Sequence, residues 1–531
     1  MSGRADASER TLPGLLGRRA DRDAYGVLFR DDLGPVTAGE AWTMAGRIAA
    51  GFHRLGIAPD DRVAVMLANS REFLFTWFGL GTLGAVEVPV NPLAKGQQLV
   101  YVLRHSGARS IVVGSEMLPA LAPILAEVPE LKFAVVIGAA STPVSVSAVA
   151  FDEVLDQRPR FSGPSPIQPS DTTAIMYTSG STGPAKGVIL PHGQHVENGR
   201  QAVDVARISA DDRLFVCLPL HHNMAQGYGV MPALVSGASF ALSRRFDRST
   251  FWSEVAASES TVWPFVGAML VLLTKDLDQG TMPARLPAHN GHPLRVAFGV
   301  PIPAEVHRRF EEGFGLRLIP CYGSTEGTIV TWGTADGDAP VGSCGKVIPN
   351  FDVQIQASDG TEVGPGEIGE ICIRPRDPFT MFQGYHNDPE RARMAVRNLW
   401  YHSSDRGRID ADGYLWFEGR TEDVIRRFSE FISASEVEGA LLGCPTVDMA
   451  AAFGIRDEVA GEELMVAVVP RPGVALSVAD VLAWSKKQLP DFSVPRYIDI
   501  VESLPMTATG KVEKYVLRAR GVSAATHDTR S

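Results

Sequence analysis

The run Y-T-S-G-S-T-G-P-A-K-G, from Tyr177 to Gly187, constrains this chain more than any other stretch. It follows T-T-A-I-M, so an apolar strand leads directly into a loop of small hydroxyl residues and glycines. Such a loop lets backbone N–H groups approach an anion closely, and Lys186 adds a positive charge. A plain Ser/Gly turn accounts for neither the strand before it nor the lysine within it. A Walker A loop needs G-x-x-x-x-G-K-[ST], where the final hydroxyl holds magnesium. Here Gly187 follows Lys186 and the glycine spacing differs. The segment reads as a phosphate loop of another kind.

The surrounding chain alternates helix-like and strand-like stretches. G-E-A-W-T-M-A-G-R-I-A-A-G-F-H-R-L-G has the spacing of an amphipathic helix that stops at Gly56. R-V-A-V-M-L and A-R-S-I-V-V-G then read as buried strands, and the alternation predicts parallel βαβ units with right-handed crossovers. The pattern returns at Arg213–Pro219, Ser239–Leu242 and Arg295–Phe298. Near Asp352 the texture changes to V-Q-I-Q and G-E-I-G-E-I-C-I-R with glycine turns, which predicts antiparallel β structure. Beyond Arg420 the chain reads as a small α+β unit, and its last ten residues as a frayed tail.

Composition narrows the function classes. A net charge of −11 argues against a dedicated nucleic-acid binder, which needs a basic face. Five scattered cysteines without C-x-x-C argue against a disulfide framework or zinc site and fit a reducing cytoplasm. The N-terminus has no apolar signal region. Phe73–Val90, the most apolar stretch, is interrupted by Thr76, Gly79, Gly81, Gly84 and Glu87, so it reads as a buried helix entering a strand rather than a membrane span. Only 9 lysines stand beside 41 arginines, so a lysine where chemistry wants an ammonium is informative.

These residues carry a resemblance. T-S-G-S-T-G-P-A-K-G resembles the signature loop of the adenylate-forming superfamily, which includes acyl-CoA synthetases, peptide-synthetase adenylation domains and beetle luciferase. Further matches follow in family order: Gly84–Pro92, L-P-L-H-H-N, Y-G-S-T-E-G, W-Y-H-S-S-D, G-R-T-E-D-V-I and T-A-T-G-K. The resemblance implies a large N-terminal domain, 1–420, of βαβ subdomains plus a small β-barrel-like part. A small mobile α+β domain, 421–531, would be hinged to it near Glu422.

It also implies roles. Thr178, Ser179, Gly180, Ser181, Thr182 and Gly183, with Lys186, would hold the phosphates of ATP. Tyr322 would stack on adenine, with Gly323 and Ser324 beside it and Gly299-Val300-Pro301 along the adenine face. Thr325 would hold the AMP phosphate and Glu326 would recruit Mg²⁺, a hard cation suited to a carboxylate and phosphates. Asp405 and Arg420 would grip the ribose hydroxyls. Lys511 would swing in to bridge the substrate carboxylate and the α-phosphate, stabilising two anions brought together. His222 would stand beside the acyl and thiol sites. The L-P-L-x-H form and the spacing through R-R-F-D-R-S-T-F-W resemble the carnitine/crotonobetaine-CoA ligase branch.

Three positions depart from the family pattern. His221 stands where an aromatic residue usually gates the thiol channel, and Ser403-Ser404-Asp405 stands for T-G-D. Phe428-Ser429 replaces a glycine pair in the hairpin that lines the pantetheine tunnel, adding bulk and removing backbone freedom. The expected activity is an acid–CoA ligase using ATP, Mg²⁺ and coenzyme A on a bulky apolar carboxylic acid. A half-enzyme that thioesterifies a supplied acyl-adenylate, and a silent binding or scaffold member, stay as alternatives. No nucleic-acid partner and no membrane span are expected, and the oligomeric state is open, a homodimer being one option.

Overall fold

The computed structural model describes residues 7–139, 142–155, 166–178, 185–279, 293–300, 302, 304–337, 339–420, 424–427, 430–457, 461–489, 491–507 and 511–530. The chain divides into two units. One takes residues up to 178, 185–353 and 373–401; the other takes 354–372 and 402 onward.

The first unit is built on two large sheets. In the seven-stranded sheet the order is 147–150, 133–137, 110–114, 62–66, 86–89, 172–178 and 186–191. All neighbours there run parallel except the last pair. Its βαβ units start where local chemistry dictates. The Thr37 hydroxyl accepts the Glu40 N–H at 3.2 Å and Glu40 Oε2 accepts the Thr37 N–H at 2.7 Å, a capping box that opens helix Ala38–Arg54. Helix Arg71–Leu83 is almost wholly buried and ends at Gly84, whose φ of 83° a β-carbon would oppose. The chain then enters strand Val86–Pro89. Among the described residues no helix is long and apolar enough to cross a membrane.

The nine-stranded sheet has the order 346–347, 328–332, 317–324, 296–300, 262–266, 213–216, 239–242, 27–31 and 34–37. The strands from 317–324 through 27–31 run parallel, while 328–332 and 346–347 at one end and 34–37 at the other pair antiparallel. The expected strands at Arg213–Pro219, Ser239–Leu242 and Arg295–Phe298 appear as Arg213–Val216, Ser239–Leu242 and Val296–Val300. One core cluster, with Trp77, Phe78, Phe240, Trp263 and Phe298 fully buried, fills this part of the unit.

After residue 350 a five-stranded sheet gathers 351–356, 369–375, 396–397, 400–409 and 415–420, with the antiparallel pairing expected of that texture. The C-terminal part carries a six-stranded sheet packed by helices Ala434–Leu442 and Val478–Gln488. Buried Glu463 lies 2.8 Å from Arg427, 3.5 Å from Arg496 and 2.9 Å from Arg530. The last ten residues are not a frayed tail. His527–Asp528 pairs with strand Tyr497–Ile500, and Asp528 and Arg530 are tied by ion pairs. The reading from composition missed this because the partners, Arg496 and Glu463, lie more than 30 residues upstream.

Candidate active site

The strands flanking the phosphate loop form an antiparallel pair in which Thr178 stands opposite Lys186. Ser179, Gly180, Ser181, Thr182 and Gly183 lie outside the described residues. Lys186 Nζ sits 5.6 Å from the centre of the Tyr385 ring. The hydroxyl of that tyrosine donates to Glu326 Oε1 at 3.1 Å. The loop lysine and the candidate metal carboxylate are therefore linked through one aromatic side chain, 199 residues from Lys186 in sequence.

Glu326 occupies the turn between strands Arg317–Ser324 and Thr328–Trp332 and is 8% exposed. The Gly327 N–H donates to Ser324 Oγ at 2.9 Å, and Gln194 Nε2 donates to the Thr325 carbonyl at 2.8 Å, which fixes the turn. At Gly323 a β-carbon would lie 2.1 Å from the Thr328 carbonyl oxygen, so this position requires glycine. Buried Tyr401 stands beside Glu326; burial first, then the Glu326 charge, drives its phenol far above the usual range. Gly299 and Val300 end the adjacent parallel strand, Val296–Val300, with Gly299 opposite Pro320. Pro301 lies outside the described residues. Thr178, Gly299-Val300 and Tyr322–Ser324 thus lie at the C-terminal ends of strands from the two large sheets, where open α/β sheets commonly form a ligand crevice.

His221 and His222 follow strand Arg213–Val216, their ring centres 4.2 Å apart. Burial lowers both imidazoles, His222 to about 4, so both are neutral at pH 7. Asn69 pins the loop: its Nδ2 donates to the Leu218 carbonyl at 2.9 Å and its Oδ1 accepts the Leu220 N–H at 2.8 Å. Gln226 Nε2 donates to the Leu220 carbonyl at 2.9 Å and to both oxygens of Glu87, at 3.2 and 3.0 Å. Glu87 is fully buried, which pushes its carboxyl up to about 8.

In the second unit, Asp405 and Arg420 are cross-strand partners. Asp405 is buried and its N–H donates to Ser403 Oγ at 3.0 Å. Lys511 is exposed, and Thr507 Oγ1 accepts its N–H at 3.0 Å. Phe428, Ser429 and Glu422 lie outside the described residues, although the arms of that hairpin pair with Arg427 opposite Glu430.

Comparison with known proteins identifies the family. The model of the AMP-binding enzyme family matches residues 17–386, and that of the AMP-binding enzyme C-terminal domain matches residues 436–511. The chain belongs to the AMP-binding enzyme family. A crotonobetaine/carnitine–CoA ligase of Salmonella paratyphi A is 30% identical over 479 residues, covering 89% of this chain and 91% of the relative. The structure of ATP-bound MatB from Rhodopseudomonas palustris is similar at a TM-score of 0.84 and 26% identity, covering 96% of this chain and 99% of that one. The anthranilate CoA ligase AuaEII in complex with anthranoyl-AMP shares the fold at a TM-score of 0.85 and 24% identity, covering 96% and 97%. The resemblance to the acyl-CoA ligase branch of the adenylate-forming superfamily, and the mixed α/β fold with a small C-terminal domain, are borne out.

Within this family member, the first unit carries Thr178, Lys186 and Tyr322–Ser324 at strand ends and Thr325 and Glu326 in the turn that follows, while Asp405, Arg420 and Lys511 belong to the second. Tyr385, Asn69 and Gln226 escaped the motif reading, and Glu87, inside the matched stretch Gly84–Pro92, was given no role there. Only Glu87 carried a signal, as the one charge inside the apolar run Phe73–Val90. The expectation of a bulky acid rests on the small residues Ala225, Gly227 and Gly229 after His222, which in sequence suggest free volume, and that argument needs correction. Gly227 and Gly229 do not leave open volume: a β-carbon there would meet Asn198 Nδ2 at 2.6 Å and Val216 at 3.2 Å. Their smallness serves packing around the π-helical turn Gln226–Val230.

Proposed function

We propose that this enzyme is an AMP-forming acid–CoA ligase that joins a carboxylate to AMP with loss of pyrophosphate and then passes the acyl group to the thiol of coenzyme A. The observation that carries the reading is the Lys186–Tyr385–Glu326 arrangement beside the Tyr322–Thr325 strand end. It offers an ammonium and a buried carboxylate at the crevice where an ATP would present its phosphates. The ligases named among its relatives support the same reaction class.

The donor set fits magnesium, since Glu326 offers oxygen and its hydrogen-bond neighbour, Tyr385, is also an oxygen group. A bound Mg²⁺ would supply charge neutralisation on the phosphates. Glu326 would hold it, and the Tyr385 hydroxyl would orient that carboxylate. Asp405 and Arg420, opposite each other, would take the ribose hydroxyls. Lys511 would serve adenylation only, with residues 421–531 turning about the hinge near Glu422 between the two half-reactions. The acid is proposed to be apolar: Asn223–Gly237 contains no charged residue, and both histidines before it are neutral. Bulk remains an expectation from sequence, now without support from Gly227 and Gly229.

A second reading is favoured by Phe428-Ser429 and His221, which depart from the pattern near the thiol path. In it the protein thioesterifies an acyl-adenylate made elsewhere. One assay pair decides: pyrophosphate release from ATP with a panel of carboxylic acids, and acyl-CoA formation from synthetic acyl-adenylates. Both activities are expected. Thioesterification alone would replace the ligase with the half-enzyme, and neither would leave a binding protein. Preference for carnitine or acetate would overturn the apolar acid.

A further inference from the structure

We infer that Glu370 is a positioning residue for nucleotide binding, acting by holding Ser404 in a left-handed backbone conformation that aims Asp405. This rests on the ribose-binding role proposed for Asp405. Ser404 has φ of 61°, a region that β-carbon-bearing residues disfavour. The family pattern T-G-D places glycine there, which adopts that conformation freely. This chain must therefore obtain the same turn by other means.

Glu370 supplies them. It lies on strand Gly369–Pro375, and its Oε1 accepts the Ser404 N–H at 3.0 Å. Its Oε2 is 2.8 Å from His402 Nδ1, so one carboxylate brackets the residues two apart that frame Ser403. Ser403 closes the other side: its hydroxyl donates to the Ile371 carbonyl at 2.7 Å and accepts the Asp405 N–H at 3.0 Å. The Ser404 N–H is thereby tied to the neighbouring strand directly, and the Asp405 N–H through the Ser403 hydroxyl. A charged acceptor makes the stronger kind of hydrogen bond, which suits a turn that has lost its glycine.

Glu370, Cys372 and His402 also bring ligand atoms within 4.8 Å of one another, with Cys372 Sγ 3.4 Å from His402 Nδ1. Both Glu370 oxygens are already engaged by Ser404 and His402, so the group is read as a bracket and not as a cation cage.

The test compares Glu370→Ala in the parent and in a Ser404→Gly background, reading AMP affinity by calorimetry and the KM for ATP, CoA and acid. In the parent background AMP affinity is expected to fall about tenfold, and the KM for ATP to rise alike, the ratio that left-handed strain sets. The KM for CoA and acid should move by less than about twofold. With Ser404→Gly present, Glu370→Ala should cost less than about twofold, because glycine needs no bracket. Equal losses in both backgrounds, or no loss in either, overturn the inference. Should Glu370→Ala not fold, Glu370→Gln carries the test. It keeps an oxygen for the Ser404 N–H, so affinity should stay within about threefold of the parent, and a tenfold loss overturns the inference. A parent that binds no AMP refutes the nucleotide site as well; a parent that binds AMP without regard to Glu370 refutes this inference alone.

Discussion

The Tyr385 hydroxyl donates to Glu326 Oε1 at 3.1 Å, so the carboxylate proposed to recruit magnesium is held from behind by a phenol. Burial, followed by the Glu326 charge, drives that phenol far above its ordinary range, so it remains a proton donor through any assay pH. Hydrogen bonds to charged groups contribute about 1.5–3 kcal/mol, so Tyr385→Phe should lower kcat/KM for ATP by about tenfold or more. Pyrophosphate release across a magnesium titration reads this. An unchanged midpoint and rate would mean that the tyrosine does not orient Glu326.

Lys511 separates the two half-reactions in the proposed scheme. Its ammonium would stabilise the meeting of carboxylate and α-phosphate and would take no part in thioester formation. Lys511→Ala should therefore abolish pyrophosphate release while sparing acyl-CoA formation from preformed acyl-adenylate. Equal loss of both activities counts against its assignment.

Glu87 makes stability depend on pH. Its folded carboxyl titrates at about 8, well above its ordinary value, because burial disfavours the charge. Between those values the folded state binds more protons than the unfolded state, so stability falls as pH rises through that window. The isosteric Glu87→Gln removes the titration and keeps an oxygen for Gln226. Its unfolding midpoint should match or trail the parent near pH 5 and exceed it near pH 9. Parallel melting curves across that range would refute the buried carboxyl's role.

Phe428 and Ser429 follow a strand that is pinned independently of them, since Arg427 lies 2.8 Å from buried Glu463, and that strand pairs with Glu430–Ser433. Changing the tip should leave the arms in place. In the proposed scheme this tip meets coenzyme A after domain rotation, and a ring there can bias the two orientations. A bias of about 1.4 kcal/mol changes their ratio tenfold. Restoring glycine at both positions should shift the ratio of adenylation to thioesterification by at least about tenfold. Unchanged half-reaction rates would make Phe428 a matter of local packing and remove the main support for the half-enzyme.

Local order was legible because local chemistry sets it. Thr37 and Glu40 cap one helix, Gly84 stops another, and the β-rich runs at 62–66 and 110–114 pair as expected. The motif residues fall at a strand start for Lys186, in the turn after strand Arg317–Ser324 for Glu326, and inside strand Trp400–Ile409 for Asp405. Tyr385 was not legible, since its contact with Glu326 spans 59 positions and no short pattern surrounds it. Nor was the Asn69 clamp on Leu218 and Leu220, about 150 residues away, because a lone asparagine after a strand reads equally well as a turn. The volume expected at Gly227 and Gly229 failed for a related reason: small size in sequence does not say what fills the space.

The pairing of Val27–Asp31 with Ser239–Leu242, where Phe29 stacks on Phe240 at 5.3 Å, has a consequence for synthesis on the ribosome. An early strand waits for a partner roughly 210 residues later, about 10 to 40 s at ordinary elongation speeds. During that interval the strand edge that Ser239–Leu242 will occupy stays unpaired, and Phe29, which also meets Phe75, lacks its stacking partner Phe240. The nine-stranded sheet cannot close from the N-terminus outward. Its completion is tied to the arrival of the middle of the chain, so an open strand edge, the feature that exposes a folding chain to aggregation, persists through the first half of synthesis.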